Sequence, residues 1–275
     1  MSAPRVVLGG PFDDLRSSHV RLLHEASRLG VVRVLLWSDE AIRRQLGRPP
    51  KFPAAERRYL LESIRFVQGL EVSGPSVDPD VVPEIPGWRP DIWVLDPESS
   101  ARAREEALRC QDIHFRILTR RQLAGFPVPE GDVAEPPADG RRVIVSGCFD
   151  WLHSGHVRFF EEVSRIGDLY VVVGHDDNIR LLKGGGHPHL PAVERRYLVG
   201  SIRYVRRALI SSGHGWLDAE PEIARIRPHV YAVNEDGDRP EKRRFCAEHG
   251  IEYRVLKRIP RPGLPARSST ELRGF

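Results

Sequence analysis

Short apolar runs alternate along this chain with stretches in which apolar residues recur every three or four positions. In the second half, runs at 143–147, 169–174, 207–211, 229–233 and 252–256 predict strands. Between them, 155–166, 192–203, 217–226 and 239–249 have amphipathic helical spacing. Runs such as Val143-Ile144-Val145 are apolar at successive positions, which suits a strand covered on both faces. Strand–helix alternation at this rhythm predicts an α/β fold built on a parallel sheet with helices on both sides. Ligands of such sheets bind outside the carboxyl ends of the strands, where the strand order reverses.

The pattern occurs twice. Residues 6–13 (Val-Val-Leu-Gly-Gly-Pro-Phe-Asp) match 143–150 (Val-Ile-Val-Ser-Gly-Cys-Phe-Asp), and His-Val-Arg at 19–21 matches 156–158. Ser-Arg-Leu-Gly at 27–30 matches 164–167, and Glu-Arg-Arg-Tyr-Leu at 56–60 matches 194–198. Further on, 63–67 match 201–205 and 89–96 match 227–234. The expected architecture is therefore two tandem Rossmann-like parallel-sheet domains, 1–125 and 142–275. A linker rich in proline, glycine and acid fills 126–141.

Composition narrows the function classes. No apolar run approaches the roughly 18–20 residues of a membrane span, and the first residues lack a signal-peptide layout. Cys110, Cys148 and Cys246 lie far apart without a C-x-x-C pair, so neither a disulfide framework nor a zinc site is expected, and a cytoplasmic location is. His175, His187, His189 and His214 lack ligand-like spacing as well. The net charge of +4 comes from basic residues scattered among nearly as many acids, so no nucleic-acid partner is expected. Of 42 basic residues only Lys51, Lys183, Lys242 and Lys257 are lysines, which draws attention to Lys183 in Leu-Leu-Lys-Gly-Gly-Gly.

Candidate chemistry gathers behind the strand at 143–147. Gly147-Cys148-Phe149-Asp150-Trp151-Leu152-His153-Ser154-Gly155-His156 reads as a strand-to-helix turn carrying two histidines spaced H-x-G-H. Free N–H groups and the positive end of a helix dipole suit a phosphate chain, and imidazoles beside them donate to its oxygens. Gly155 leaves room for a ligand against the backbone.

With those residues in place, 142–275 resembles the H-x-G-H nucleotidylyltransferase superfamily, and most of all its cytidylyltransferases acting on glycerol 3-phosphate, phosphoethanolamine or phosphocholine. The resemblance rests on Gly147–His156, on Asp176–Gly184, on Pro191–Arg196, on Arg227-Pro228, and on Lys257-Arg258-Ile259-Pro260 leading to Arg267-Ser268-Ser269-Thr270. It implies transfer of a nucleoside monophosphate, from CTP as the first expectation, to a small phosphorylated alcohol of phospholipid-precursor synthesis, with release of pyrophosphate. His153, His156 and Lys183 would be the catalytic residues. Gly147, Cys148, Phe149, Asp150, Gly155, Arg196 (or Arg195), Arg258, Arg267, Ser268, Ser269 and Thr270 would bind the nucleotide. Magnesium is the implied cofactor, carried on the triphosphate, with Asp150 shaping the turn or approaching the metal.

Two features hold open an ATP-dependent alternative acting on a sugar phosphate or mononucleotide. Arg267-Ser-Ser-Thr-Glu-Leu-Arg273 is similar to the ending of adenylyltransferases of nicotinate mononucleotide, and 177–184 is similar to heptose-phosphate adenylyltransferases. The run Asn234-Glu235-Asp236-Gly237-Asp238 departs from the Gly-Asp of the family, and 261–266 form an insertion before Arg267. A non-catalytic nucleotide sensor or scaffold is the remaining alternative. The first copy keeps Phe12, Asp13 and His19 but has Arg16 at the first histidine, Ser18 at the glycine and Leu46 at or beside the lysine. It is expected to be catalytically dead and to complete a pseudo-dimer within the chain, with a homodimer also possible.

Overall fold

The computed structural model describes residues 2–75, 87–95, 113–129, 140–269 and 272. The chain divides into two compact units, Met1–Gly125 and Phe126–Phe275. Among the described residues of the first, the order is β1 (Arg5–Gly10), α1 (Ser17–Ser27), β2 (Val31–Leu36), α2 (Asp39–Leu46), α3 (Ala54–Ser63), β3 (Gly69–Val72), β4 (Ile92–Leu95), β5 (His114–Ile117) and α4 (Arg120–Leu123). The second runs β6 (Arg142–Gly147), α5 (Ser154–Val163), β7 (Asp168–Val173), α6 (Asp176–Lys183), α7 (Ala192–Gly200), β8 (Arg207–Ile210), α8 (Glu220–Ile226), β9 (Val230–Asn234), α9 (Pro240–Glu248) and β10 (Glu252–Leu256). Single 3₁₀ turns at Gly215–Leu217 and Glu235–Gly237 precede α8 and α9.

Each unit is a five-stranded, all-parallel sheet, ordered β3-β2-β1-β4-β5 in the first and β8-β7-β6-β9-β10 in the second. This is the α/β Rossmann-like fold expected from the alternation of runs. Val143, Ile144, Val145, Val171, Val172 and Val173 are wholly buried, as central parallel strands covered on both faces require. On one face Ile144, Tyr170, Val172, Tyr231 and Val233 pack with Ala219, Ile223, Phe245 and Cys246 from the region of α8 and α9. α7 packs on β7 and β8. The strand order reverses beside β6, whose neighbours are β7 and, across the reversal, β9.

The repeated Ser-Arg-x-Gly ends the first helix of each unit for a steric reason. A Cβ on Gly30 would lie 2.1 Å from the Pro4 carbonyl oxygen, and one on Gly167 would lie 2.2 Å from that of Arg141. No side chain fits where the returning chain crosses the start of the first strand.

Two differences from the sequence expectation stand out. Helix α6 was not predicted: it begins Asp176-Asp177-Asn178, buries only Asn178 and Ile179, and at eight residues is shorter than the stretch over which a helical period is read. Its N-cap is His175, whose ring accepts from the Asn178 amide, in place of a Ser, Thr or Asp signal. The expected linker also starts inside the second unit, since the Phe126 ring lies 5.8 Å from that of Tyr197. Residues 130–139 of that linker lie outside the described residues. Among the described residues no helix is long and apolar enough to cross a membrane.

Candidate active site

A cavity of about 400 Å³ opens at the carboxyl ends of β6 and β9, where the strand order reverses. Gly147, Cys148, Phe149, Asp150, His153, Gly155, His156, Lys183, Arg258, Ser268 and Ser269 all line it. The turn after β6 is tight. Phe149 has φ +51°, in the left-handed region, and a Cβ on Gly147 would come within 2.9 Å of its ring. Phe12 takes φ +42° at the matching place in the first unit, so the turn belongs to the fold of both units and not to chemistry alone.

The turn delivers two buried imidazoles. His153 is the N-cap of α5, and its Nδ1 accepts from the Gly155 amide at 3.1 Å. That bond fixes the tautomer: in the neutral ring the proton sits on Nε2. His153 Nε2 and His156 Nδ1 are buried and have no hydrogen-bond partner among the described residues. The rings stack at 3.9 Å, and Phe149 meets His156 edge-on at 5.4 Å. Burial, helped by Arg258 and Arg267, pushes the His153 pKa down to about 4. Burial, with His153, Arg258 and Lys183 nearby, holds His156 well below the ordinary imidazole range. Both rings are therefore neutral at pH 7, and each holds a polar atom that a ligand would satisfy.

The cations separate into those on the cavity and those behind it. Lys183 ends α6 and is exposed on the cavity wall. Arg258 is held by Asp236 at 2.9 Å and donates to the Arg267 carbonyl at 3.0 Å. Arg267 lines a second cavity, of about 280 Å³, which shares Gly155, Arg258 and Ser268 with the first. Arg196 is not on the cavity: its guanidinium donates to the Phe126 carbonyl at 3.1 Å. Arg195, the alternative, is fully buried and donates to the carbonyls of Leu190 and Cys148 at 2.8 and 2.7 Å and to Asp176 at 2.6 Å. Adjacent residues on a helix point about 100° apart, so one arginine turns inward and the other away. Thr270 lies outside the described residues.

Asp150 shapes the loop at 187–190: its carboxylate accepts from the amides of His189 and Leu190 and from His187 Nδ1. Burial raises the Cys148 thiol, which argues against a nucleophile. Sequence reasoning missed the far wall, where Asn178, Trp216, Asp218, Asp236, Arg239 and Lys242 line the cavity. Arg239 stacks over Trp216 at 4.7 Å. Lys242 is buried, which lowers its pKa, and Asp218 is raised by burial. No local motif marks Trp216, Asp218, Arg239 or Lys242; the sheet brings them to Asn178 and Asp236, which lie in the 176–184 and 234–238 runs.

The corresponding turn of the first unit is closed on itself. Arg16 is tied to Asp14 at 2.5 Å, and its amide donates to His19 Nδ1 at 3.0 Å. His19 therefore caps a helix there, a role that needs no ligand. Arg48 pairs with Asp13 at 2.6 Å.

The second unit is thus an α/β nucleotide-site domain, with paired histidines at a helix N-terminus facing a cationic cavity at the switch point. Residues 144–259 match the family described as cytidylyltransferase-like. FAD synthase of Thermococcus kodakarensis is 38% identical over 43% of this chain and 79% of its own length. FAD synthase of Pyrococcus horikoshii is 39% identical over 42% and 78%. Bifunctional protein HldE of Methylococcus capsulatus is 39% identical over 36% of this chain, a stretch that spans only 20% of HldE. A solved lipopolysaccharide core biosynthesis protein from Thermoplasma volcanium GSS1 aligns over 44% of this chain and 98% of its own, at 24% identity and a TM-score of 0.37. The chain belongs to the cytidylyltransferase-like nucleotidyltransferases.

Proposed function

We propose that the second unit transfers a nucleoside monophosphate from a nucleoside triphosphate to a phosphorylated acceptor, and that the triphosphate is ATP. The observation that carries the transfer is the pair of buried, neutral imidazoles with unsatisfied nitrogens beside Lys183 and Arg258. An acceptor phosphate oxygen attacks the α-phosphorus, the bond to the bridging oxygen breaks, and pyrophosphate leaves with that electron pair. No covalent intermediate with the protein is needed, so the work is positioning and charge stabilisation. His153 Nε2–H donates to the phosphate oxygen that gains charge, and Lys183 neutralises it as a compact, movable cation. Arg258 and Arg267, with Ser268 and Ser269, hold the departing pyrophosphate.

Similarity to FAD synthases, whose product carries an adenylyl group, favours ATP over the CTP that the cytidylyltransferase resemblance implied. Flavin mononucleotide and sugar phosphates are accordingly the first acceptors to test. Magnesium fits as a passenger on the triphosphate, where it neutralises phosphate oxygens. Of the cavity carboxylates, Asp218 and Asp236 are engaged by Ser211 and Arg258, and Asp150 stands beside the imidazoles of His187 and His189, so none offers magnesium the oxygen-lined cradle it prefers. The first unit, with Arg16 and Leu46 in place of His153 and Lys183, would be a degenerate copy without this activity.

Pyrophosphate release should be measured with each of four triphosphates, magnesium, and a panel of flavin, sugar and alcohol phosphates. Turnover is expected with ATP. Turnover with CTP alone would return the base assignment to cytidine, and none with any pair would sink the enzyme reading. A second outcome concerns Gly155. A Cβ there would lie 3.0 Å from two atoms of the His153 ring and 3.2 Å from the Arg267 carbonyl. Gly155→Ala is expected to displace the imidazole and cut turnover about a hundredfold, measured in the same assay.

A further inference from the structure

We propose that Asp150, His187 and His189 form a binding site for a divalent transition metal of the zinc type, distinct from the magnesium carried by the nucleotide. Spacing in the sequence gave no hint of it, because 37 residues separate Asp150 from His187. The fold closes that gap: a carboxylate oxygen of Asp150 and one ring nitrogen from each histidine lie within 4.8 Å of one another. Ligands around one tetrahedral zinc stand about 3.3–3.6 Å apart, so assembly needs a contraction of at most about 1.5 Å. His189 is exposed and free to supply that movement, whereas Asp150 is buried and fixed.

The donor set selects the metal. Two imidazoles and one carboxylate suit zinc, cobalt or nickel, and magnesium prefers oxygen ligands with several waters. Asp150 has capacity for it: with the amides of His189 and Leu190 bound, its remaining lone pair meets His187 Nδ1 at 3.0 Å. A metal can replace the proton between them and leave the backbone bonds intact. All three residues line the cavity, which leaves open coordination positions facing a ligand there.

The first unit shows that the loop does not need histidines to fold. Asp13 accepts from the amides of Lys51 and Phe52 at 2.7 and 3.2 Å, just as Asp150 accepts from those of His189 and Leu190. Its other oxygen takes the Arg48 guanidinium at 2.6 Å, a fixed cation in place of an imidazole. The second unit therefore holds two metal-ligating rings where a structural solution uses arginine. A metal there would clip the 184–190 loop, which begins directly after Lys183, to the turn following β6.

The full chain, stripped with a chelator, should be titrated with zinc against a chromophoric competitor, and with cobalt followed by its visible absorption. One zinc per chain is expected, with cobalt giving a tetra- or pentacoordinate spectrum. His187→Ala and His189→Ala should each weaken binding at least tenfold, and the double variant should abolish it; His214→Ala should change nothing. Unchanged zinc binding in the double variant, or binding of magnesium but not zinc, would overturn the proposal. Far-ultraviolet circular dichroism of each variant shows whether a loss reflects misfolding, and His187→Gln with His189→Gln repeats the test in near-isosteric form. The readout is metal affinity, so it stands or falls apart from nucleotidyl transfer.

Discussion

His153→Asn is expected to lower nucleotidyl transfer about a hundred- to a thousandfold while leaving the folded state almost as stable as before. The two effects separate because the imidazole has two jobs on two nitrogens. Nδ1 caps α5 by accepting from the Gly155 amide, and an asparagine oxygen performs that task as well as any side chain. Nε2–H faces no protein acceptor among the described residues, and asparagine cannot place a donor at the same point. His153→Ala should lose activity equally but also about 1 kcal/mol of stability with the cap. Steady-state turnover and thermal melts distinguish the pair; equal activity in wild type and His153→Asn would remove the imidazole from the mechanism. The depressed pKa adds a pH signature. The native ring binds its proton at about 4, the unfolded ring near the ordinary 6.5, so between those values the unfolded chain holds more protons. Stability without nucleotide therefore falls as the pH drops through that window, and His153→Asn should flatten the fall. A triphosphate in the cavity would favour the charged imidazoles, so its binding near pH 6 should take up protons, seen as a buffer-dependent binding enthalpy.

The central strands were legible because β6, β7 and β9 carry runs of apolar residues bounded by polar turns, and both faces of a central parallel strand must be apolar. Helix α6 was not, because its eight residues are fewer than the stretch over which a helical period is read. The same division holds in the site. The turn Gly147–His156 and the Ser268-Ser269 pair are local motifs, and the structure brings both to one cavity. Trp216, Asp218, Arg239 and Lys242 come from different crossovers and meet only because parallel strands end at one side. His187 and His189 illustrate the limit: spacing along the chain could not pair them with Asp150. Comparison of the two copies carried information that neither held alone. Arg16 and Leu46 mark positions that differ while the fold persists, and the Glu-Arg-Arg-Tyr-Leu of both copies is shared by a unit that lacks the histidine pair.

That shared run leads to the largest expected loss of stability, from Arg195→Leu. The guanidinium is wholly buried and joins three separate segments: Leu190 in the loop before α7, Cys148 in the turn after β6, and Asp176 at the start of α6. Leucine fills much of the volume but leaves two carbonyl oxygens and a carboxylate without their donor. Desolvated groups stripped of a partner cost roughly 1–3 kcal/mol each, so about 3 kcal/mol or more is expected, a melting-temperature drop of roughly 6–12 °C. Arg195→Lys should recover only part, because one ammonium cannot reach three directions that a planar fork reaches. Arg57 makes the same brace in the first unit, to the carbonyls of Phe52, Pro11 and Trp37 and to Asp39, which has no histidine pair to serve. The alternative, that Arg195 contacts phosphate, predicts the reverse pattern: melts without nucleotide would be unchanged, and only the nucleotide-induced shift would disappear. Arg196→Ala is the internal control. Its bond to the Phe126 carbonyl is worth at most about 1 kcal/mol, and nucleotide affinity should not move.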